Sequence, residues 1–180
     1  MTEKNRTAID TAQAIALPYH WAQTCLVAAL FAAGNIVFPQ LCHLVHMGGP
    51  TWLPIYFFTL AGAYRYGWRV GLLVAVASPV VNAALFGMPS VAALPSILLK
   101  SVLLALTAAW VAGKMRLQVS LAALAGVVAV YQILGTLGEW ILTGDFYTAA
   151  QDFRIGIPGM LLQIFGGYLL LRCLQKLPRW

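Results

Sequence analysis

The chain has 180 residues, of which 61% are hydrophobic and 9% charged, against roughly 25% charged in a soluble globular domain. So few charges cannot cover a soluble fold, and disordered chains are rich in charge and poor in apolar residues. With a mean hydropathy of +0.82, this reads as an all-α, multi-pass membrane protein. In such a chain the net charge of +6 reports orientation through its placement, and it is not read as a sign of nucleic-acid binding. Cys25, Cys42 and Cys173 are too scattered for a disulfide framework.

Residues 1–20 carry Glu3 and Asp10 and lack a compact apolar stretch ending in a small-residue cleavage site. They are expected to be a retained cytoplasmic segment and not a signal peptide. A bilayer core roughly 30 Å thick needs about 20 apolar residues per helix. On that basis six spans are predicted, at residues 21–40, 52–64, 70–86, 91–112, 117–142 and 155–174, forming one membrane domain over 21–174. The second is short and aromatic, and Pro50, Trp52 and Pro54 at its start suggest that it emerges from a structured loop. Residues 175–180 are left as a cytoplasmic tail.

Basic residues choose the orientation. Lys4, Arg6, Arg65, Arg69, Lys114, Arg116, Arg172, Lys176 and Arg179 fall on one side of this arrangement, and Arg154 alone on the other. Nine against one places both termini in the cytoplasm and the protein in the inner (cytoplasmic) membrane. In the first span Ala28 and Ala29 are followed four residues later by Ala32 and Ala33. Small residues at this spacing line helix contacts in membranes, either within the bundle or with another membrane protein.

Charges inside a bilayer are costly, and each needs a reason. Lys100 stands within the fourth span, roughly 12 Å from its outer end at 1.5 Å per residue, and Glu139 stands near the outer end of the fifth. Gln132, Gly135 and Glu139 share one helical face, with Tyr131 beside them; Asn35, Asn82 and Gln163 add polar groups in other spans. Two readings stand side by side. Lys100 and Glu139 form a structural ion pair, with the amides bonding between helices; or these residues line an outward pocket in which Lys100 or Arg154 meets an anionic group. The first outer loop, residues 41–51, brings Cys42, His43, His46 and Met47 into six positions, as ordinary loop chemistry or as an axial ligand to a metal in a carried cofactor.

No phosphate-binding G-x-x-x-x-G-K-[ST] loop occurs, and neither G-x-S-x-G nor H-E-x-x-H is present. Ser101 beside Lys100 does not make a dyad, because neighbours on a helix diverge. The sequence therefore points to binding or transport and not to an enzyme.

The stretch from Pro50-Thr-Trp-Leu-Pro-Ile-Tyr-Phe-Phe through Tyr66-Gly-Trp-Arg-Val-Gly, then Ala77-Ser-Pro-Val-Val-Asn and Phe86-Gly-Met-Pro, resembles the substrate-binding S components of energy-coupling factor (ECF) vitamin transporters. Residues 50–89 carry the likeness, which extends to a solitary or cobalamin-type member. It implies a six-helix bundle and a high-affinity receptor for a vitamin or related micronutrient, bound outward by loops one, three and five with spans four to six. Here those elements, with the third span, hold His46, Trp52, Asn82, Met88, Lys100, Tyr131, Gln132, Glu139, Arg154 and Gln163. It further implies that the alanine pairs of span one meet a transmembrane coupling subunit driven by two ATPases. Among substrates the Cys42, His43 and His46 cluster leans to a tetrapyrrole, cobalamin or heme, through axial ligation; Lys100 and Arg154 equally suit a carboxylate-bearing vitamin. No intrinsic cofactor is expected. The alternatives are an integral-membrane enzyme or assembly factor acting on a lipid or isoprenoid, which requires a reactive pair nearer mid-membrane or the cytoplasm, and a channel, for which no ring of like groups is evident.

Overall fold

The computed structural model describes residues 21–176; residues 1–20 and 177–180, with Lys4, Arg6 and Arg179, lie outside them. The described residues form helices and turns without strands. In chain order the helices are α1 (Trp21–Cys42), α2 (Gly48–Trp52), α3 (Phe57–Tyr66), α4 (Trp68–Phe86), α5 (Leu94–Lys114), α6 (Leu121–Thr143), α7 (Phe146–Ala149), α8 (Gln151–Ile155) and α9 (Ile157–Gln175). Five of them, α1, α4, α5, α6 and α9, are long and apolar enough to cross a membrane.

The predicted second span departs from this pattern. The unbroken helix expected over residues 52–64 is instead the short α2, a 3-10 turn at Pro54–Tyr56, and α3. Leu53 adopts a left-handed conformation at φ 45°, and the ring of Pro54 disfavours the right-handed helix that would have continued through it. The ten residues of α3 extend about 15 Å, half of a bilayer core. Yet α3 is the most enclosed element: residues 59–65 are all buried, with α1, α4, α5 and α9 packed around it. Small residues permit this approach. A Cβ on Gly71 of α4 would come within 2.6 Å of the Ala63 side chain. Gly67, at φ 90°, then turns the chain from α3 into α4, a backbone angle that L side chains rarely adopt.

Polar groups secure the broken segment. Pro39 lies inside α1, and its missing N–H leaves the Asn35 carbonyl without an intrahelical donor. Asn82 of α4 donates its Nδ2 to that carbonyl at 3.0 Å. Asn35 in turn donates to Thr59 Oγ1 at 2.8 Å and Ser78 Oγ at 3.3 Å, and its Oδ1 accepts the Phe58 N–H at 3.0 Å. That amide is one of the first-turn donors of α3, which have no partner within the helix. Gln40 donates to Asn82 Oδ1 at 3.2 Å. Every polar atom of the two asparagine side chains is thereby used.

The two ends of the bundle differ. At one, the Tyr64 hydroxyl donates to the Gln118 carbonyl at 2.7 Å and Gln175 donates to the Leu117 carbonyl at 2.8 Å. The end of α3, the α5–α6 turn and the end of α9 thus meet where Arg65, Arg69, Lys114, Arg116, Arg172 and Lys176 lie. The opposite end is built from the C-termini of α1, α4 and α6, the start of α5, and α2, α7 and α8. The outer loop expected over residues 143–154 is mostly helical there, as α7 and α8.

Candidate functional site

A cavity of about 330 Å³ opens at the end of the bundle away from the basic cluster. α5 supplies Ser96, Ile97 and Lys100; α6 supplies Glu139; α8 supplies Asp152; the segment around the Leu53 break supplies Pro54, Ile55 and Tyr56.

Lys100 is 4% exposed, and its ammonium reaches two carboxylates, Glu139 Oε2 at 2.5 Å and Asp152 Oδ2 at 2.8 Å. Room for the lysine stem comes from Gly135, where a Cβ would lie 2.5 Å from Lys100 Cγ. Glu139 follows one helical turn later on the same face. One cation thus meets two anions, and Lys100 is committed to both. The ion pair expected between Lys100 and Glu139 is present, and Asp152 extends it to a triad. Arg154 stands apart: its guanidinium lies over the Tyr147 ring at 3.6 Å, donates to the Tyr147 hydroxyl, and does not line the cavity.

The other expected site residues divide. Met88 lines the cavity, as does His43; His46, Trp52 and Cys42 do not. Among the described residues no three His, Cys, Asp or Glu side chains gather as a metal-holding group. Asn82 belongs to the α1–α3–α4 network above. Tyr131 stands behind the wall, its ring 5.6 Å from that of Tyr56, and donates to Gln163 Oε1 at 2.7 Å. Gln163 sits in a π turn, Leu162–Gly166, inside α9, and such turns often occur at functional positions. Gln132, fully buried, has no hydrogen-bond partner for either amide atom among the described residues, and Ser101, Thr136 and Gln163 Nε2 are likewise unpaired. None of these four residues lines the cavity.

Asp152, Tyr56 and Ser96 are site residues that sequence reasoning missed. For Asp152 a signal existed. The chain has five acidic residues, and Glu139, Asp145 and Asp152 are the three beyond residue 20. Asp145 caps α7, accepting from the Tyr147 N–H at 2.9 Å and from the Thr148 hydroxyl. These hydrogen bonds, the Thr148 one first, hold its exposed carboxyl below the usual range. The remaining two both face Lys100.

The alanine pairs of α1 separate by face. Ala28 is buried and Ala32 half-buried within the bundle, whereas Ala29 and Ala33 are exposed. Ala33 borders an apolar groove of about 960 Å³ between α1 and α9, with Leu26, Leu30, Phe58 and Leu170.

Comparison of the chain with protein-family models, curated proteins and solved structures found no match.

Proposed function

We propose that this chain is a membrane-embedded receptor subunit that takes up a small-molecule micronutrient from the side opposite its basic end, as an S component of the ECF type. The observation that carries this reading is the 330 Å³ cavity with Lys100, Glu139 and Asp152 at its floor. Cavities of roughly 300–1,000 Å³ with mainly apolar walls and a few convergent polar groups are the usual form of small-molecule sites. Ionisable residues within a membrane bundle ordinarily mark such a path or site.

In this reading the run from Gly48 to Tyr66 makes the second of six crossings, with its irregular backbone allowed because it is enclosed by protein. The basic end faces the cytoplasm, and the cavity opens outward. Size favours a ligand at the small end of the vitamin range. A corrinoid or heme macrocycle with its substituents needs more room than this cavity holds, and the Cys42, His43 and His46 loop adds only His43 to the wall. The outward alanines, Ala29 and Ala33, together with the apolar groove beside them, suit a coupling subunit. The lipid-enzyme alternative draws no support from the site, where the ionised groups pair with one another and no nucleophile stands against a base.

The deciding experiment is native mass spectrometry of the purified protein, with an absorption spectrum of what co-purifies. A bound, colourless small molecule is expected. Absence of any ligand at sub-micromolar Kd across a vitamin panel overturns the receptor reading, and a corrinoid or Soret band overturns the size argument.

A further inference from the structure

The cavity has a charge imbalance and a set of unspent hydrogen-bonding groups that together define the ligand it accepts. Lys100 uses one oxygen of each carboxylate, Glu139 Oε2 and Asp152 Oδ2. Among the described residues, Glu139 Oε1 and Asp152 Oδ1 have no partner. The titratable side chains that line the cavity are His43, Tyr56, Lys100, Glu139 and Asp152, and of these two carboxylates share the single ammonium of Lys100. Arg154, the nearest basic residue in sequence, is turned onto Tyr147. A second observation is independent of charge. Tyr56 is 3% and Ser96 4% exposed, both line the cavity, and neither hydroxyl has a hydrogen-bond partner among the described residues. These hydroxyls open onto the cavity and are left for a ligand to bond.

We propose that the site binds a small organic cation, a protonated amine or quaternary ammonium compound that also carries a hydrogen-bonding group. Its positive centre meets the free oxygens of Glu139 and Asp152 and restores charge balance beside Lys100. Its polar substituent engages the hydroxyls of Tyr56 and Ser96, and its apolar body lies against Pro54, Ile97 and Met88. An inorganic ion would leave most of the 330 Å³ unfilled. This inference rests on the receptor reading and specifies its substrate class.

The test uses three near-isosteric probes of different charge, benzylammonium, benzyl alcohol and benzoate, at millimolar concentration, read by thermal unfolding of the full chain in detergent. Sodium chloride at matched ionic strength is the control. Benzylammonium is expected to raise the Tm saturably and the other three to raise it little. In Glu139→Gln, which keeps the Lys100–Asp152 pair, and in Asp152→Asn, which keeps Lys100–Glu139, half-saturation is expected to rise about tenfold or more, as loss of one charge partner implies. Tyr56→Phe is expected to leave the benzylammonium response unchanged and to raise half-saturation by 4-hydroxybenzylammonium, which carries the polar substituent, about threefold, as for one neutral hydrogen bond. No protection by benzylammonium, equal protection by sodium, or an unchanged response in both carboxamide variants overturns the proposal. Protection by benzoate or benzyl alcohol at least equal to that by benzylammonium also overturns it, while leaving the receptor reading intact. That reading falls separately, on the absence of any co-purifying or panel ligand.

Discussion

The polar clusters around Asn35 and around Lys100 lie within the same apolar bundle, and they are built on opposite principles. Every side-chain polar atom of Asn35 and Asn82 has a protein partner, and even the carbonyl released by Pro39 is met by Asn82. Around Lys100 the groups do not balance: two carboxylates share one ammonium, and the hydroxyls of Tyr56 and Ser96 face a cavity. A saturated network holds helices together, whereas an unsaturated one next to open space holds a place for something else. Both contain buried polar residues in membrane-length helices, so polarity alone does not distinguish them; the count of unused hydrogen-bonding atoms does.

The largest effect is expected from removing the one cation. Lys100→Met leaves Glu139 and Asp152 facing each other without a counter-charge, and stability should fall by about 3–5 kcal/mol, seen as a large drop in Tm and in the yield of folded protein. Adding Glu139→Gln and Asp152→Asn to Lys100→Met should restore most of that loss, because a fully neutral cluster no longer buries an unpaired charge. If the triple variant is as unstable as the single one, the ion cluster is not what the lysine supports.

Next in size is Asn35→Ala, which removes the acceptor for the Phe58 amide and the donors to Thr59 and Ser78. A loss of about 1–3 kcal/mol is expected, with ligand affinity of the folded fraction changed by less than about twofold, since sites without shared partners act independently. A loss of binding as large as that in Glu139→Gln would erase the distinction between the clusters. Gly135→Ala should show the reverse pattern. Its Cβ meets the Lys100 stem and displaces the ammonium, weakening ligand binding about tenfold, as for a buried charge pair moved off its geometry, which a binding isotherm would detect.

The smallest effect on the isolated protein is expected on the outward face of α1. Ala29→Leu with Ala33→Leu should alter stability by less than about 0.5 kcal/mol, as for surface positions generally, yet reduce cellular uptake if a coupling subunit docks there. Normal uptake in the double variant contradicts docking at this face.

Much of the bundle was legible in the sequence because length and hydropathy constrain a membrane helix strongly, and all five long helices fall where apolar runs were read. The second segment was legible in part. Pro50 and Pro54 marked a structured start, but a residue before proline favours extended backbone, so the left-handed turn at Leu53 was not legible. The Lys100–Glu139 pair could be read from two isolated charges in apolar helices. Asp152 could not be read in that way, since its stretch, Ala149-Ala-Gln-Asp-Phe-Arg-Ile, looks like an exposed loop, and only folding of α8 over the bundle end brings it 2.8 Å from Lys100. Two residues further along the same short helix, Arg154 turns outward, so the expected anion-binding arginine and the missed carboxylate exchange places. Asn82 was expected at the pocket because sequence shows that a residue is polar, not whether its partners are already in place.

The central claim is that one cluster is structural and the other receives a ligand, and the most direct measurement is the Kd of the co-purifying molecule in Glu139→Gln and Asn35→Ala side by side, with the Tm of each. The expected result is a Kd raised about tenfold or more in Glu139→Gln with little change in Tm, as for loss of a ligand's charge partner, against a lowered Tm and a Kd within about twofold of the parent in Asn35→Ala. An unchanged Kd in Glu139→Gln, or a larger loss of affinity in Asn35→Ala, would contradict it.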